Sequence, residues 1–161
     1  MFGWRADENV EGARGKSANE LSLPRLAVGG LLVEGDSILL VRRKNPPAQG
    51  LWTLPGGRVR AGERLRMALK REFLEETGLV VEPVALADVF EVIQKGEDDS
   101  LRFHYVILDY WVRRLSGNAE AGTDAVDLQW FPLDGMPVAE MPPESLDFIR
   151  RVLRQRPPEV S

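Results

Sequence analysis

The feature that most constrains this chain is the segment of residues 57–79, in which a glycine turn is followed by a helix rich in carboxylates. Apolar side chains recur at helical spacing through residues 64–77, and Gly78 follows, where a left-handed residue ends a helix at low cost. The spacing predicts an amphipathic helix over residues 64–77. Its apolar face consists of Leu65, Ala68, Leu69 and Phe73.

Three glutamates of this helix indicate its function. Glu72, Glu75 and Glu76 are spaced i, i+3 and i+4, so they share one helix face. Like charges at this spacing destabilise a helix, and a hard divalent cation with oxygen ligands would offset their repulsion. Arg71 can orient a carboxylate but cannot neutralise three. The spacing alone is also typical of a solvated acidic surface, but the preceding glycine pair, which lets backbone approach a ligand, favours a metal site.

The remaining sequence predicts a mixed sheet with at least two helices, an α+β fold. We expect strands at residues 26–33, 37–43, 51–54, 79–81, 84–93, 101–113 and 126–131, and a second helix at 145–155. The length of 161 residues suits one domain, which we place at residues 24–155. Residues 1–23 are expected to form a flexible N-terminal tail, and residues 156–161 a C-terminal tail.

Composition excludes several classes of protein. With 21 basic and 25 acidic residues the net charge is −4, so the basic surplus typical of a nucleic-acid binder is missing. Without cysteine there can be no disulfide, thiolate metal site or Cys nucleophile. No apolar run has the length of a membrane span, and the N-terminus lacks the pattern of a secretion signal, so we expect a cytoplasmic protein without a membrane partner.

Residues 57–79 resemble the Nudix box. In words, the box is Gly, five residues, Glu, seven residues, Arg-Glu, a bulky apolar residue, any residue, Glu-Glu, any residue, Gly and an apolar residue. The matching positions here are Gly57, Glu63, Arg71, Glu72, Phe73, Glu75, Glu76, Gly78 and Leu79. The resemblance implies the Nudix fold, an α/β/α sandwich with a mixed central sheet, in which the box forms a loop-helix-loop.

The resemblance also implies a metal site and a reaction. Mg²⁺, or alternatively Mn²⁺, would be held by Glu72, Glu75, Glu76 and the backbone carbonyl of Gly57. Arg71 would lock one glutamate in place, and Glu63 would support the metal site. A carboxylate must accept the proton of the attacking water. The candidates for this general base are Glu72 within the box and, in or beside the loop that precedes the last strand, Glu120, Asp124 and Asp127.

Candidate substrate contacts lie outside the helix. Arg42, Arg43 and Arg58 are candidates for the phosphates, and strand alternation predicts that only one of the two adjacent arginines faces the site. Phe90 and Tyr105, with Phe103, are candidates for stacking on a nucleobase, although each is more typical of a core residue. His104, between two aromatic residues, favours a structural or surface role.

The activity implied by the resemblance is hydrolysis of the diphosphate bond of a nucleoside diphosphate linked to another group, with ADP-ribose or a nucleotide sugar as the first candidate. A MutT-like nucleoside triphosphate pyrophosphohydrolase uses the same box, so it remains an alternative. A nucleotide-binding Nudix domain without catalysis is the third. The partner in each case is a small-molecule nucleotide and no nucleic acid, and a homodimer is left open.

Overall fold

The computed structural model describes residues 23–123 and 125–160. Over these residues the protein forms a seven-stranded mixed sheet with one α-helix on each face. The strands are β1 (Arg25–Glu34), β2 (Ser37–Arg43), β3 (Trp52–Thr53), β4 (Gly56–Arg58), β5 (Val80–Lys95), β6 (Leu101–Ser116) and β7 (Ala125–Pro132). The helices are α1 (Leu65–Thr77) and α2 (Pro143–Leu153), with short 3-10 helices at Val138–Glu140 and Pro158–Val160. The predicted α+β fold is confirmed.

Strand β1 is the centre of the sheet. It runs parallel to β6, with Arg25 opposite Tyr105, and antiparallel to β4 and to the start of β2. Strand β5 continues the sheet beyond β6, while β2 pairs with β3 and β7. Residues 27–33 are all buried, as expected for an apolar run covered on both faces.

The two helices cover opposite faces because successive side chains of a strand point to opposite sides. On one face, Leu69 and Phe73 of α1 pack in a cluster with Val28 and Tyr110. On the other, α2 packs in a second cluster with alternate residues of the same strands. The members that show this alternation are Leu31, Trp111, Phe148 and Ile149. This layering is the predicted sandwich.

Helix α1 ends where the sequence predicts. Gly78 is left-handed, with φ of 70°, and its N–H donates to the carbonyl of Leu74 at 3.0 Å. Thr77 fixes the last turn, because its hydroxyl donates to the Phe73 carbonyl at 2.6 Å and accepts from the Leu79 N–H at 3.2 Å. The box therefore forms a loop-helix-loop, with β4 before the helix and β5 after it.

Three segments differ from the sequence-based expectation. Residues 56–58 follow the predicted turn but form the short strand β4, because their backbone pairs with β1. Residues 79–81 and 84–93 were expected as separate strands, but β5 is continuous, because a register irregularity between Pro83 and Ala85 absorbs the proline that cannot donate to the ladder. Residues 156–160, expected as part of a tail, pack against the domain. Val160 is buried, and the guanidinium of Arg156 donates to the carbonyls of Val33 and Val160.

The N-terminal tail, apart from residue 23, lies outside the described residues. Among the helices that are described, none has the length and apolar character needed to cross a membrane.

Candidate active site

A large cavity of about 1520 Å³ opens between the glycine turn, the carboxylate face of α1 and the α2 side of the sheet. Its walls bring together the box glutamates, two of the predicted arginines and the predicted aromatic residues. The lining residues that matter here are Gly57, Arg43, Arg58, Glu72, Glu75, Glu76, Phe90, Tyr105 and Asp109. Residues far apart in the chain therefore meet at one place.

The glycine turn presses against two of the box glutamates. The N–H of Gly56 donates to the Glu76 carboxylate at 2.9 Å. A Cβ on Gly57 would overlap the carboxyl group of Glu72, and one on Gly56 would overlap the Val28 carbonyl. Glycine is therefore required at position 56, where a side chain would meet backbone, whereas a side chain at position 57 would displace the Glu72 carboxylate.

Arg71 is the electrostatic centre of the site. Its Nε and Nη2 donate to the two carboxylate oxygens of Glu63 at 2.7 and 2.9 Å, and Nη1 donates to Glu72 at 2.5 Å and Glu75 at 3.3 Å. A further bond of 3.1 Å runs to the Arg58 carbonyl. We expected Arg71 to lock one glutamate, but it contacts three, since the planar guanidinium offers five donors.

This network shifts two pKa values in opposite directions. The hydrogen bonds from the Arg71 guanidinium and the Arg60 N–H lower the pKa of Glu63 to about 2. The carboxylates of Glu63 and Glu72 raise the pKa of Arg71, against the effect of burial. Both shifts favour the ionised pair.

The carboxylates fit a divalent cation in chemistry but do not form a preassembled cage. Among residues 23–123 and 125–160, no three Asp, Glu or His side chains are grouped closely enough to hold one ion. Glu72, Glu75 and Glu76 nevertheless open on one cavity. Glu72 and Glu75 contact guanidinium groups, and Glu76 accepts the N–H of Gly56; a cation can replace such donors. The bare backbone of Gly57 lies against the Glu72 carboxylate, where a Cβ would overlap it.

The two adjacent arginines of β2 diverge. Arg43 lines the cavity, and its Nε donates to the Pro47 carbonyl at 2.8 Å, which holds the proline-rich loop. Arg42 does not line the cavity; it donates to the Gly50 carbonyl at 2.8 Å and pairs with Glu140 at 3.2 Å. Arg58, beyond the glycine turn, is exposed at the cavity wall.

The aromatic candidates lie at the opposite end of the cavity from α1. Phe90 and Tyr105 both line it, together with Phe103, whose ring stacks on Tyr105 at a centroid distance of 6.3 Å. Phe90 also packs against Phe148 of α2 at 5.0 Å. These side chains therefore belong both to the packing of the sheet and to the cavity. His104 faces away, beside the carboxylate of Glu91 at 3.3 Å.

The loop candidates for the general base are not brought to the cavity. Glu120 and Asp127 are exposed and are not among its lining residues. The Asp127 carboxylate accepts the N–H of the next residue, Leu128, at 2.8 Å. Asp124 lies outside the described residues. Of the candidates that the structure describes, Glu72 is the one that lines the cavity.

Sequence analysis overlooked Asp109. This residue of β6 is 3% exposed and lines the cavity. Burial, with the negative charge of Asp88 as a second cause, raises the pKa of Asp109 to about 7. The available signal was its position as the one acid within the apolar run of residues 105–112.

Comparison with known proteins places this geometry in context. The family profile described as the NUDIX domain matches residues 23–152. The chain is 33% identical to an ADP-ribose pyrophosphatase of Methanocaldococcus jannaschii, over 85% of this chain and 79% of that protein. It is 34% identical to a putative 8-oxo-dGTP diphosphatase 2 of Mycobacterium tuberculosis, over 74% and 89% of the two chains. A crystal structure of a MutT NUDIX hydrolase from Burkholderia pseudomallei superposes with a TM-score of 0.70 at 30% identity, covering 84% of this chain and all of that one.

Proposed function

Because the chain belongs to the NUDIX family and is a Nudix hydrolase, we propose that it splits the diphosphate bond of a nucleoside diphosphate linked to another group, with ADP-ribose or a nucleotide sugar as substrate. Pyrophosphohydrolase activity follows from the family, and the substrate class is the proposed part. The observation that supports it is the single cavity joining the box carboxylates to an aromatic wall.

The size of the cavity supports a substrate with organic groups on both sides of the diphosphate. At about 1520 Å³ it exceeds the usual range for a small-molecule pocket, about 300–1,000 Å³. Phe90 and Tyr105 offer ring faces for a nucleobase, while Arg43 and Arg58 can place charge-assisted hydrogen bonds on phosphate oxygens. A relative named as an ADP-ribose pyrophosphatase supports the same class.

Nudix hydrolases need a divalent metal ion, and we assign Mg²⁺, held by Glu72, Glu75 and Glu76 with the carbonyl of Gly57. When bound, such an ion polarises the phosphorus and lowers the pKa of water. Two side chains of the protein complete the proposed mechanism. Glu72 accepts the proton of the attacking water. Arg71 keeps the carboxylates oriented through its contacts with Glu63 and Glu72.

The second candidate is a MutT-like nucleoside triphosphate pyrophosphohydrolase. It is favoured by the relative named as a putative 8-oxo-dGTP diphosphatase 2, which this chain matches over 89% of that protein's length. The box and its cavity serve both reactions equally. A nucleotide-binding domain without catalysis lacks such support, since every glutamate of the box is present.

Product analysis separates these activities. Purified protein with Mg²⁺ would be given ADP-ribose, other nucleotide sugars, dinucleoside polyphosphates, and nucleoside triphosphates including 8-oxo-dGTP. AMP with ribose 5-phosphate supports the first proposal, whereas a nucleoside monophosphate with pyrophosphate supports the second and overturns the first.

Glu76→Gln tests the metal site in the same assay. The amide oxygen of Gln can still accept the Gly56 N–H, so the glycine turn keeps its contact while the charge is lost. We expect activity to fall by about 100-fold or more, on the scale of losing a catalytic electrostatic contact. The matched control is Glu97→Gln, in the exposed turn between β5 and β6. Equal activity of both variants would remove the metal role assigned to Glu76.

A further inference from the structure

Asp109 is a buried acid without a hydrogen-bonding partner. Of the described residues, three buried ones are polar or charged: Glu76, Thr77 and Asp109. Glu76 accepts the Gly56 N–H, and Thr77 bonds the backbone of α1. Within residues 23–123 and 125–160, no group donates a hydrogen bond to the Asp109 carboxyl, yet its oxygens are not among the fully enclosed unpaired atoms, which are Thr53 Oγ1 and Arg156 Nε. The hydrogen-bonding capacity of the Asp109 carboxyl is therefore met from the cavity that this residue lines.

The backbone around Asp109 makes room for its carboxyl group. Asp109 lies opposite Gly29 in the parallel pairing of β1 and β6, and Gly29 in turn lies opposite Gly56. A Cβ on Gly29 would overlap the Asp109 Oδ1, so the carboxyl group leans over bare backbone toward the glycine turn. The missing side chain at Gly29 therefore positions the acid and leaves it open to the cavity.

Asp109 shares its face of β6 with the aromatic wall. Strand alternation puts Tyr105, Ile107 and Asp109 on one side, and all three line the cavity. Phe90 and Asp88 of β5 stand opposite Ile107 and Asp109 in the ladder. The acid is thus the polar end of an otherwise apolar strip.

The residues around Asp109 indicate which chemical group of a substrate can bind to its carboxyl group. Within the described residues no basic side chain pairs with the Asp109 carboxyl, while its neighbour Asp88 pairs with Arg151 at 3.1 Å. A phosphate placed directly against an ionised Asp109 would therefore meet like charge without a cation between them. A neutral group with an N–H or O–H donor would relieve the unpaired carboxyl instead. In a substrate of the proposed class, such donors belong to the nucleobase and the sugar.

From this geometry we propose that Asp109 is a specificity-determining residue, whose carboxyl group accepts a hydrogen bond from an N–H or O–H donor on the non-phosphate part of the substrate. This rests on the proposed function for the identity of the substrate. Asp109 contacts the substrate in this role and selects it, while the box glutamates act on the diphosphate.

The test compares substrates that differ by one donor. Wild-type protein and Asp109→Leu would be assayed for kcat and KM on ADP-ribose, on its hypoxanthine analogue, which lacks the exocyclic amine, and on its 2′-deoxyadenosine analogue, which lacks one hydroxyl. We expect wild-type protein to prefer one donor-bearing substrate by about 3- to 10-fold in kcat/KM, the scale of a net hydrogen bond. Asp109→Leu has a side chain of similar size without an acceptor, so it should abolish that preference, mainly through KM. The analogue that shows the effect identifies whether Asp109 contacts the nucleobase or the sugar.

Two further variants test whether the effect comes from the position of the Asp109 carboxyl group. Gly29→Ala displaces the carboxyl group without replacing it and should compress the same preference. Asp134→Leu makes the identical chemical change at an exposed site away from the cavity, and its preference should equal that of the wild type. An unchanged preference in Asp109→Leu overturns the proposal. So does a uniform loss of kcat on every substrate, because it would place Asp109 with the reacting groups.

Binding separates this inference from the proposed function. Calorimetry would measure the binding of AMP, inosine monophosphate and deoxyadenosine monophosphate to wild-type protein and to Asp109→Leu. If wild-type protein hydrolyses no nucleotide sugar, the proposed function fails, and the binding result still decides the role of Asp109. Weaker and less selective nucleotide binding by the variant supports the role, whereas identical binding overturns it.

Discussion

The acid buried beneath the cavity should make the stability of the protein fall as pH rises, and Asp109→Asn should remove that effect. Burial, together with the negative charge of Asp88, raises the pKa of Asp109 from an ordinary value of 3.8 to about 7. Between these values the folded state keeps a proton that the unfolded chain has released. Proton linkage then makes the free energy of unfolding decrease with pH across this window and become level above it.

The magnitude follows from the two pKa values. Each pH unit between them changes the free energy of unfolding by about 1.4 kcal/mol, which gives about 4 kcal/mol between pH 4 and pH 7. Asp109→Asn has no proton to lose, so relative to wild type it should gain this stability progressively as pH rises. The gain should be complete near pH 8.

Urea unfolding at half-unit steps from pH 4 to pH 8, with chelator present so that metal binding does not contribute, measures this difference. Asp134→Asn, the same substitution at an exposed position, is the control and should follow the wild-type curve. If the curves for wild type and Asp109→Asn run parallel over the whole range, Asp109 does not hold a proton in the folded state and the argument from burial is wrong.

Three other substitutions test the site and the core. Arg71→Lys loses the bidentate contact with Glu63, so we expect a loss of hydrolysis or of metal affinity of about 10- to 100-fold. Steady-state rates over a Mg²⁺ titration measure this loss, and an unchanged dependence on Mg²⁺ would contradict the role of Arg71 in orienting the carboxylates. Glu63 has a pKa lowered to about 2, so its contribution to stability is present above its ordinary value of 4.5 and is lost as pH falls toward 2. In Glu63→Gln the free energy of unfolding should therefore depend less on pH in that window. A titration of the Glu63 carboxyl group near pH 4.5 in the wild type would rule this out. Phe73→Ala empties a fully buried position beside Gly30 and should cost about 3–5 kcal/mol in urea unfolding, well above the effect of Leu74→Ala on the exposed side of α1.

The sequence was sufficient to predict the elements whose signals are local. Helix α1 and its end at Gly78 follow from apolar spacing and one left-handed glycine, and both are local properties. Strand β5 was expected as two strands, residues 79–81 and 84–93, and only the pairing with β6 shows that an irregularity at Pro83 makes it continuous. The packing of Val160 likewise depends on Arg156 reaching Val33, which no local pattern contains.

The candidate site shows the same limit. The spacing of Glu72, Glu75 and Glu76 predicted a shared face, and all three line one cavity. The spacing could not predict that Arg71 bridges to Glu63, because that contact depends on how the loop before α1 returns. Asp109 was missed since its importance comes from a glycine on another strand, which leaves space that a single sequence does not reveal.

The central place of β1 has a consequence for how the protein is made. The short antiparallel partners of β1 follow it closely in the chain, but its long parallel partner β6 is made much later, and Arg25 pairs with Tyr105. Contacts so far apart in the sequence form slowly, and nascent chains lengthen by about 5–20 residues per second. One edge of an apolar strand therefore stays unpaired until β6 is made, and a chain truncated before β6 would expose that edge to aggregation or to a chaperone.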